Sequence, residues 1–248
     1  MPAFDYSASP YPVRDDLPAA YKNYWQKLAQ PGNWWSGAER VAIAEEVRNA
    51  THCEFCKRRK ASLSPYQFPG EHDHSGKLPE AVVDAVHRII TDQNRITGKW
   101  IADLAQDGIS DGHFVELLGV TVTVFSIDEF NRGLGLPLEP LPEPVPGEPD
   151  GYRPASAVHD TGHVAMVPSR GPFSARESGM WPPGRSANVL RALSLVPDAV
   201  RDWSAVAGAQ YLSLPQMTQF SGDLGRSIDR MQMEVVAGRV SSHNECFY

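Results

Sequence analysis

The chain of 248 residues is long enough for one large domain or two small ones with a sizeable hydrophobic core. Its 30 acidic residues outnumber its 23 basic ones, and the formal charge of −7 argues against a nucleic-acid or anionic-membrane partner. No apolar run approaches the ~18 residues of a membrane helix. Residues 1–15 lack the basic and apolar regions of a signal peptide, so we predict a cytoplasmic protein.

Helical patterns account for most of the N-terminal part. Residues 78–90 begin with Leu-Pro-Glu and carry apolar side chains three or four apart, with proline in the first turn. Ser110 can cap a second helix, which runs without a turn signal to Arg132. Within it, Val120–Val124 alternates like a strand, but the unbroken segment favours a helix.

Proline divides the chain. Seven prolines lie between Pro137 and Pro154 and exclude a helix or a central strand there. We therefore predict an N-terminal part at 1–136, a Pro/Gly-rich linker at 137–186 and a C-terminal part at 187–248. The C-terminal part contains three further helical patterns, at Asn188–Leu195, Pro197–Leu212 and Ser227–Ser242. Neither a βαβ rhythm nor regular hairpin spacing is present, so the predicted fold is all-α.

A weak internal repeat links the two parts. Glu39-Arg-Val-Ala leads to Cys53-Glu-Phe-Cys56, and Glu234-Val-Val-Ala leads to Cys246-Phe-Tyr. In each case a glutamate followed by Val-Ala begins a helix that arrives at a cysteine and an aromatic residue. Chance could produce this pairing, but duplication of a helical unit is the favoured interpretation.

The Cys53-x-x-Cys56 motif is the strongest chemical signal. At a helix start, this spacing brings two sulfurs within disulfide reach, and the helix dipole stabilises a thiolate. The basic run 57–60 would lower the thiol pKa further, as a peroxide-attacking cysteine requires. The competing interpretations are two small buried hydrophobic residues and an ordinary solvated basic helix face.

Metal binding is an alternative use of the same motif. Cys53, Cys56, His72 and His74 offer two thiolates and two imidazoles, but His-x-His is tighter than most zinc sites. A charged surface turn is the favoured interpretation of His72 and His74. His87, on an apolar helix stripe, is predicted to be half-buried and hydrogen-bonded rather than a ligand.

Carboxylates that precede the cysteines could accept a thiol proton. Glu39 and Glu234 would do so if they lie on the helix before each cysteine. Glu45 and Glu46 are rivals in the first half because they are closer to Cys53 in sequence. A solvated helix face is the alternative for each of these side chains.

These motifs together resemble the alkylhydroperoxidase D/carboxymuconolactone decarboxylase superfamily, and more closely its tandem, alkylhydroperoxidase-related branch. The resemblance spans nearly the whole chain except residues 1–30 and the linker. The segments that carry it are Cys56–Tyr66, Ile109–Gly119, Asp128–Leu136 and Val240–Tyr248.

The resemblance implies tandem helical repeats, an oligomer and thiol peroxidase chemistry. It places Cys56 at the peroxidatic position, Cys53 at the resolving position and Glu39 at the proton-relay carboxylate. The second repeat would use Cys246 and Glu234. The family's relay histidine has no counterpart at Lys60, so His52, His72 or His74 would have to replace it.

The leading hypothesis is therefore a thiol-dependent peroxidase or related disulfide oxidoreductase. It would reduce H2O2 or an organic hydroperoxide without a cofactor and would be recycled by a cytosolic dithiol. The alternatives are a non-redox lyase of the carboxymuconolactone decarboxylase type and a non-enzymatic, zinc-stabilised assembly module. A homo-oligomer is expected because a C-terminal part of about 62 residues rarely buries its apolar helix faces alone.

The chain ends at Tyr248, and the second cysteine of a repeated CxxC would stand at the next position, three residues after Cys246. Related proteins of this branch can carry selenocysteine there, and its UGA codon is read as a stop. We therefore expect that the sequence is cut short inside a second redox site. A genuine C-terminus with a lone Cys246 is the alternative.

Overall fold

A computed structural model describes residues 3–64, 68–182, 184, 186–244 and 246. These residues form helices and loops, and their only strand-like pairing is an isolated antiparallel bridge between Val158 and Met166. The all-α prediction is confirmed. The helices are α1 (Asp16–Leu28), α2 (Gly37–Ala50), α3 (Glu54–Ala61), α4 (Glu80–Thr91), α5 (Gly98–Leu104), α6 (Asp111–Gly133), α7 (Asn188–Arg191), α8 (Pro197–Gln210) and α9 (Arg230–His243). Within the described part of the chain, none combines the length and the apolar character of a membrane span.

The two helices predicted in the N-terminal part are present as α4 and α6. Pro79 precedes the first residue of α4, and the Ser110 hydroxyl accepts the His113 N–H at the start of α6. The alternating Val120–Val124 segment is helical. Its side chains at positions 120, 121, 123 and 124 are buried on several sides of α6, so packing outweighs the β propensity of this sequence.

The helices of the C-terminal part differ in their bounds from the sequence prediction. α8 begins at Pro197 as expected. α9 begins at Arg230 rather than Ser227 because Asp229 caps it, accepting the Gln232 N–H while the Gln232 side chain accepts the Asp229 N–H. α7 is only four residues long.

The main core lies among α2, α4 and α6, which contact one another pairwise. Fully buried side chains from these helices include Ile43, Val86 and Leu117. α8 packs on α1 and α6, and its Val206 joins the same core cluster. Residues on both sides of the Pro-rich segment therefore share one hydrophobic core.

Two buried ion pairs hold α2 against α6. Arg40 Nη1 lies 2.9 Å from Glu116 Oε1, and Arg48 donates to both oxygens of Asp128 at 2.8 and 2.9 Å. Burial raises the pKa of Glu116, although Arg40 opposes that shift. Because an unpaired buried charge is costly, these pairs restrict how α2 can slide or rotate on α6.

The Pro-rich segment packs along α1 and α2. Its residues 137–154 contain neither helix nor strand. The Val145 N–H donates to Ala29 O at 2.8 Å, and the Trp25 indole N–H donates to Pro140 O at 2.9 Å. Farther along, Ala165 is buried in the main core. The segment thus provides backbone hydrogen-bond partners for the N-terminal helices.

A matched pair of valine substitutions tests the shared core. Val206 is 2% exposed in α8, whereas Val189 is 42% exposed in α7. Val206→Ala should lower the free energy of unfolding by about 2 kcal/mol, because it removes buried methyl groups and leaves a cavity. Val189→Ala should change it by less than about 0.5 kcal/mol. Urea denaturation followed by circular dichroism measures both, and equal effects would contradict a core shared by the two parts.

Candidate functional site

Four buried side chains meet beside the N-terminus of α3. Cys53, Cys56, His72 and His87 each present one sulfur or ring nitrogen, and these atoms all lie within 4.8 Å of one another. The side chains come from the α3 start, the loop that follows α3, and α4. All four residues are less than 7% exposed. The sequence-predicted cysteine pair is therefore part of a larger, enclosed cluster.

The CxxC motif forms the first turn of α3. Cys53 has extended backbone angles and caps the helix, with its Sγ 3.5 Å from the Cys56 N–H. Cys56 follows three residues later, so both sulfurs face the same side of the turn. This local geometry agrees with the sequence prediction.

His87 and Glu46 face each other across the contact of α4 with α2. His87 Nδ1 lies 3.3 Å from Cys56 Sγ, and its Nε2 lies 2.8 Å from Glu46 Oε1. Both side chains are fully buried. Since a carboxylate only accepts hydrogen bonds, Nε2 carries the proton in the neutral ring and Nδ1 presents a lone pair to the sulfur.

Glu46 is ionised despite its burial. Burial alone would raise the pKa of Glu46, but hydrogen bonds from His87, Ser75 and Asn49 outweigh it and hold the pKa below its usual range. The Ser75 N–H and hydroxyl both lie 3.3 Å from Oε2. The carboxylate is thus a permanent acceptor that orients the His87 ring.

His72 has an equivalent arrangement with Asp84. His72 Nδ1 lies 3.4 Å from Cys56 Sγ and 3.8 Å from Cys53 Sγ, and its Nε2 lies 3.1 Å from Asp84 Oδ1. Burial opposes ionisation of Asp84, but His72, Arg59 and Arg88 hold its pKa well below the usual range. Each histidine therefore contacts a carboxylate through Nε2 and a cysteine sulfur through Nδ1.

The predicted low thiol pKa is wrong for Cys56. Burial raises the pKa of Cys56 to about 12, and the nearby Cys53 adds to the shift. The basic run does not compensate. Lys57 pairs with Glu54 at 2.6 Å, and Arg59 pairs with Asp84 at 2.6 Å. The charge of Arg59 lowers the pKa of Cys56, but burial is the larger effect and the net shift is upward.

A small cavity is lined by both cysteines. It has a volume of about 270 Å³, and the exposed side chains of Lys57 and Lys60 stand at its rim. On another side, Phe55 stacks on Phe68 and contacts the His72 ring edge to face. The cavity is lined by Ala50, Thr51, Cys53, Cys56, Lys57, Lys60, Ile90, Thr91, Phe125 and Glu129.

Glu39, the relay carboxylate implied by the resemblance, is not near the cysteines. It belongs to the capping box of α2, where its Oε2 accepts the Ser36 N–H at 2.8 Å. The cysteines follow the other end of α2, roughly 16 Å farther along the helix axis. Glu46, one of the two rivals, holds the position expected for the relay because it lies on the face of α2 that contacts α4.

The histidines match the predictions only in part: His74 is exposed as a surface turn requires, whereas His72, for which the same turn was favoured, is buried. His74 is exposed and accepts the Gly76 N–H at 3.0 Å, so it does not join the cluster. His52 is exposed as well. His87 is fully buried rather than half-buried, and it contacts Cys56. Asp84, which contacts His72, was not identified from the sequence. The pattern that could have indicated it is a carboxylate three residues before His87, on the same face of one helix.

The residues predicted for a second site lie elsewhere. Glu234 accepts the Tyr211 hydroxyl at 2.6 Å and pairs with Arg230 at 2.6 Å. Cys246 is exposed after the end of α9, and its N–H donates to Ser241 O. Neither belongs to the buried cluster. Phe247 and Tyr248, where the predicted truncation falls, lie outside the described residues.

Comparison of the chain with protein-family models, curated proteins and solved structures finds no match. The resemblance to the alkylhydroperoxidase D superfamily stays a prediction from the sequence. The function of the chain must therefore be inferred from the geometry of the cluster.

Two neighbouring glutamates provide a test of how Glu46 supports the site. Glu46→Gln places an amide NH2 among the donors of Ser75, Asn49 and His87, so it should lower the free energy of unfolding by about 2 kcal/mol. Glu45→Gln removes only a partly exposed pair with Lys77 and should change it by less than about 0.5 kcal/mol. Denaturation at pH 7 compares the two variants. A Glu45→Gln effect as large as that of Glu46→Gln would contradict the assigned role.

Proposed function

We propose that this protein is a thiol-dependent peroxidase that reduces H2O2 or an organic hydroperoxide through Cys56 and Cys53. The observation that carries the proposal is the chain of contacts from Cys56 Sγ to His87 Nδ1, at 3.3 Å, and from His87 Nε2 to Glu46, at 2.8 Å. A nucleophile, a base and a carboxylate that orients the base are the three parts of an activated nucleophile.

The first chemical step is attack on the peroxide. His87 Nδ1 accepts the Cys56 thiol proton, and the sulfur attacks one peroxide oxygen. An S–O bond forms as the O–O bond breaks, and the departing alkoxide takes the proton from His87. The products are the Cys56 sulfenic acid and an alcohol, or water when the substrate is H2O2. A base is needed here because the buried thiol is not ionised by itself.

The second step is resolution by Cys53. Its sulfur attacks the Cys56 sulfenic acid, an S–S bond forms, and the hydroxyl leaves with the Cys53 proton as water. An external dithiol then reduces the disulfide through a mixed disulfide and is itself oxidised. Cys53 suits this role because it lines the same cavity as Cys56 and its sulfur lies on the same side of the first turn of α3.

Peroxide consumption with a dithiol donor tests the proposal. Cys56→Ser and Cys53→Ser should both abolish turnover. In single-turnover reactions, Cys53→Ser should still form one sulfenic acid per chain. His87→Gln should slow the attack by about 10²–10⁴-fold, the usual contribution of a general base.

Two glutamate variants distinguish Glu46, the relay carboxylate indicated by the structure, from Glu39, the one implied by the sequence resemblance. Glu46→Gln should lower the rate by about 10–100-fold because it no longer orients His87. Glu39→Gln should retain the wild-type rate, since Glu39 lies at the far end of α2. A rate loss confined to Glu39→Gln, or full activity in Cys56→Ser, would overturn the proposed mechanism.

We also propose that the protein is a homo-oligomer, with α9 at the contact between copies. α9 buries only Arg230 and Met233 in its own chain. Its four other large apolar side chains are more than half exposed: Met231, Val235, Val236 and Val240. A second copy of the chain can bury these side chains in a symmetric contact between the two α9 helices.

Light scattering at micromolar concentration tests the oligomer. The wild type should have at least twice the chain mass of 27.3 kDa. Val236→Asp together with Val240→Asp should shift the mass to that of a monomer, because charges would be buried at the contact. A clean wild-type monomer would contradict the proposal.

A further inference from the structure

The buried cluster has the composition of a metal site as well as that of a redox site. Two sulfurs and two ring nitrogens converge from separate segments of the chain, and their atoms lie within 4.8 Å of one another. Nitrogen and sulfur ligands favour Zn²⁺ over Mg²⁺ or Ca²⁺, which prefer oxygen. This ligand set differs from the sequence hypothesis, in which His74 stood in the place of His87.

The distances match a tetrahedral ion. With Zn–S near 2.3 Å and Zn–N near 2.0 Å, tetrahedral angles require sulfur and nitrogen ligands about 3.6 Å apart. Cys56 Sγ lies 3.3 Å from His87 Nδ1 and 3.4 Å from His72 Nδ1, and Cys53 Sγ lies 3.8 Å from His72 Nδ1. These three separations bracket the tetrahedral value, and the four ligand atoms all lie within 4.8 Å of one another.

The surroundings of both imidazoles are those of metal ligands. His87 directs its Nε2 to Glu46, and His72 directs its Nε2 to Asp84. A carboxylate at the far nitrogen keeps the proton there and leaves Nδ1 as the ligand atom. Two histidines that both have such a carboxylate and both face the same pair of sulfurs form a more specific pattern than CxxC alone.

The charge of the four ligands also balances that of a divalent ion. Two thiolates neutralise a divalent ion, and the Asp84 carboxylate is already paired with Arg59 and Arg88. Phe55 and Phe68 cover one side of the cluster and exclude water from it. An ion here would have four protein ligands, which is the closed coordination of a structural zinc site.

We propose that the reduced protein binds one Zn²⁺ ion through Cys53 Sγ, Cys56 Sγ, His72 Nδ1 and His87 Nδ1. This binding does not depend on the peroxidase proposal. If both hold, zinc occupies the atoms that attack peroxide and accept the proton, so bound zinc and peroxide reduction exclude each other.

Oxidation would then release the ion. Two thiolates, one H2O2 and two protons give a Cys53–Cys56 disulfide and two waters, and a disulfide no longer supplies thiolate ligands. The disulfide leaves only two imidazoles to hold zinc. The site would thereby couple zinc release to oxidation, a consequence that rests on the proposed function.

Metal content and cobalt spectroscopy of the full chain test the binding. After zinc is added under reducing conditions and excess is dialysed away, elemental analysis should find one zinc per chain. Co²⁺ in place of zinc should show a sulfur-to-metal charge-transfer band and the intense visible bands of a tetrahedral complex. Both readouts use the wild type, so they do not depend on the folding of a variant. Less than about 0.2 zinc per chain, or an octahedral cobalt spectrum without a sulfur band, would overturn the proposal.

Matched variants identify the ligands. His87→Gln and Cys56→Ser should lose stoichiometric binding, whereas His74→Gln should bind zinc as the wild type does. Asp84→Asn keeps every ligand and should weaken zinc binding by about 10–100-fold. Circular dichroism establishes that each variant is folded. Retained binding in a folded His87→Gln variant, or loss of binding in a folded His74→Gln variant, would refute the ligand set.

A last measurement separates the two proposals. Peroxide is added to zinc-loaded protein, and a chromogenic chelator reports the zinc released. Peroxide consumption is measured separately on metal-free protein. One zinc released per disulfide supports the coupling. Zinc binding without peroxide consumption by the metal-free protein refutes the peroxidase alone, and peroxide consumption without zinc binding refutes the metal site alone.

Discussion

The contact between the buried side chains of Glu46 and His87 is the interaction on which the site depends. A carboxylate enclosed among apolar helices is tolerated only because His87, Ser75 and Asn49 donate hydrogen bonds to it. In return, it fixes the proton of His87 on Nε2 and turns Nδ1 towards Cys56. The packing of α2 on α4 brings the pair together, and the ion pairs of α2 with α6 hold that packing in place.

The same geometry supports two kinds of chemistry. A lone pair on Nδ1 that can accept a thiol proton can equally bind a metal ion, and a buried cysteine pair can form a disulfide or supply two thiolates. The nearby basic residues Lys57 and Arg59 are already paired with Glu54 and Asp84, so they do not favour one chemistry over the other. Whether a metal ion or a peroxide reaches the cysteines, and whether the sulfurs are reduced or oxidised, would therefore decide between metal binding and peroxide reduction.

Local chemistry made several of the helices predictable, among them α4, α6 and α8. Ser110 and Pro197 mark helix starts because a hydroxyl can satisfy a free N–H and because proline needs no hydrogen-bond donor in the first turn. For α9, the sequence predicted a start at Ser227, but the helix begins after Asp229, which forms a capping box with Gln232. The Pro-rich segment was correctly free of helices in its first half, but its contacts with Trp25 and Ala29 could not be read from composition.

The sequence by itself determined the all-α class and the placement of the cysteine pair at a helix start. Both follow from periodicity, capping and spacing along a few neighbouring residues. Only the tertiary structure selected Glu46 over Glu39 and His87 over His74. Each choice depends on which helix face meets another helix far away in sequence, and a burial large enough to raise the pKa of Cys56 is likewise a property of the packed core.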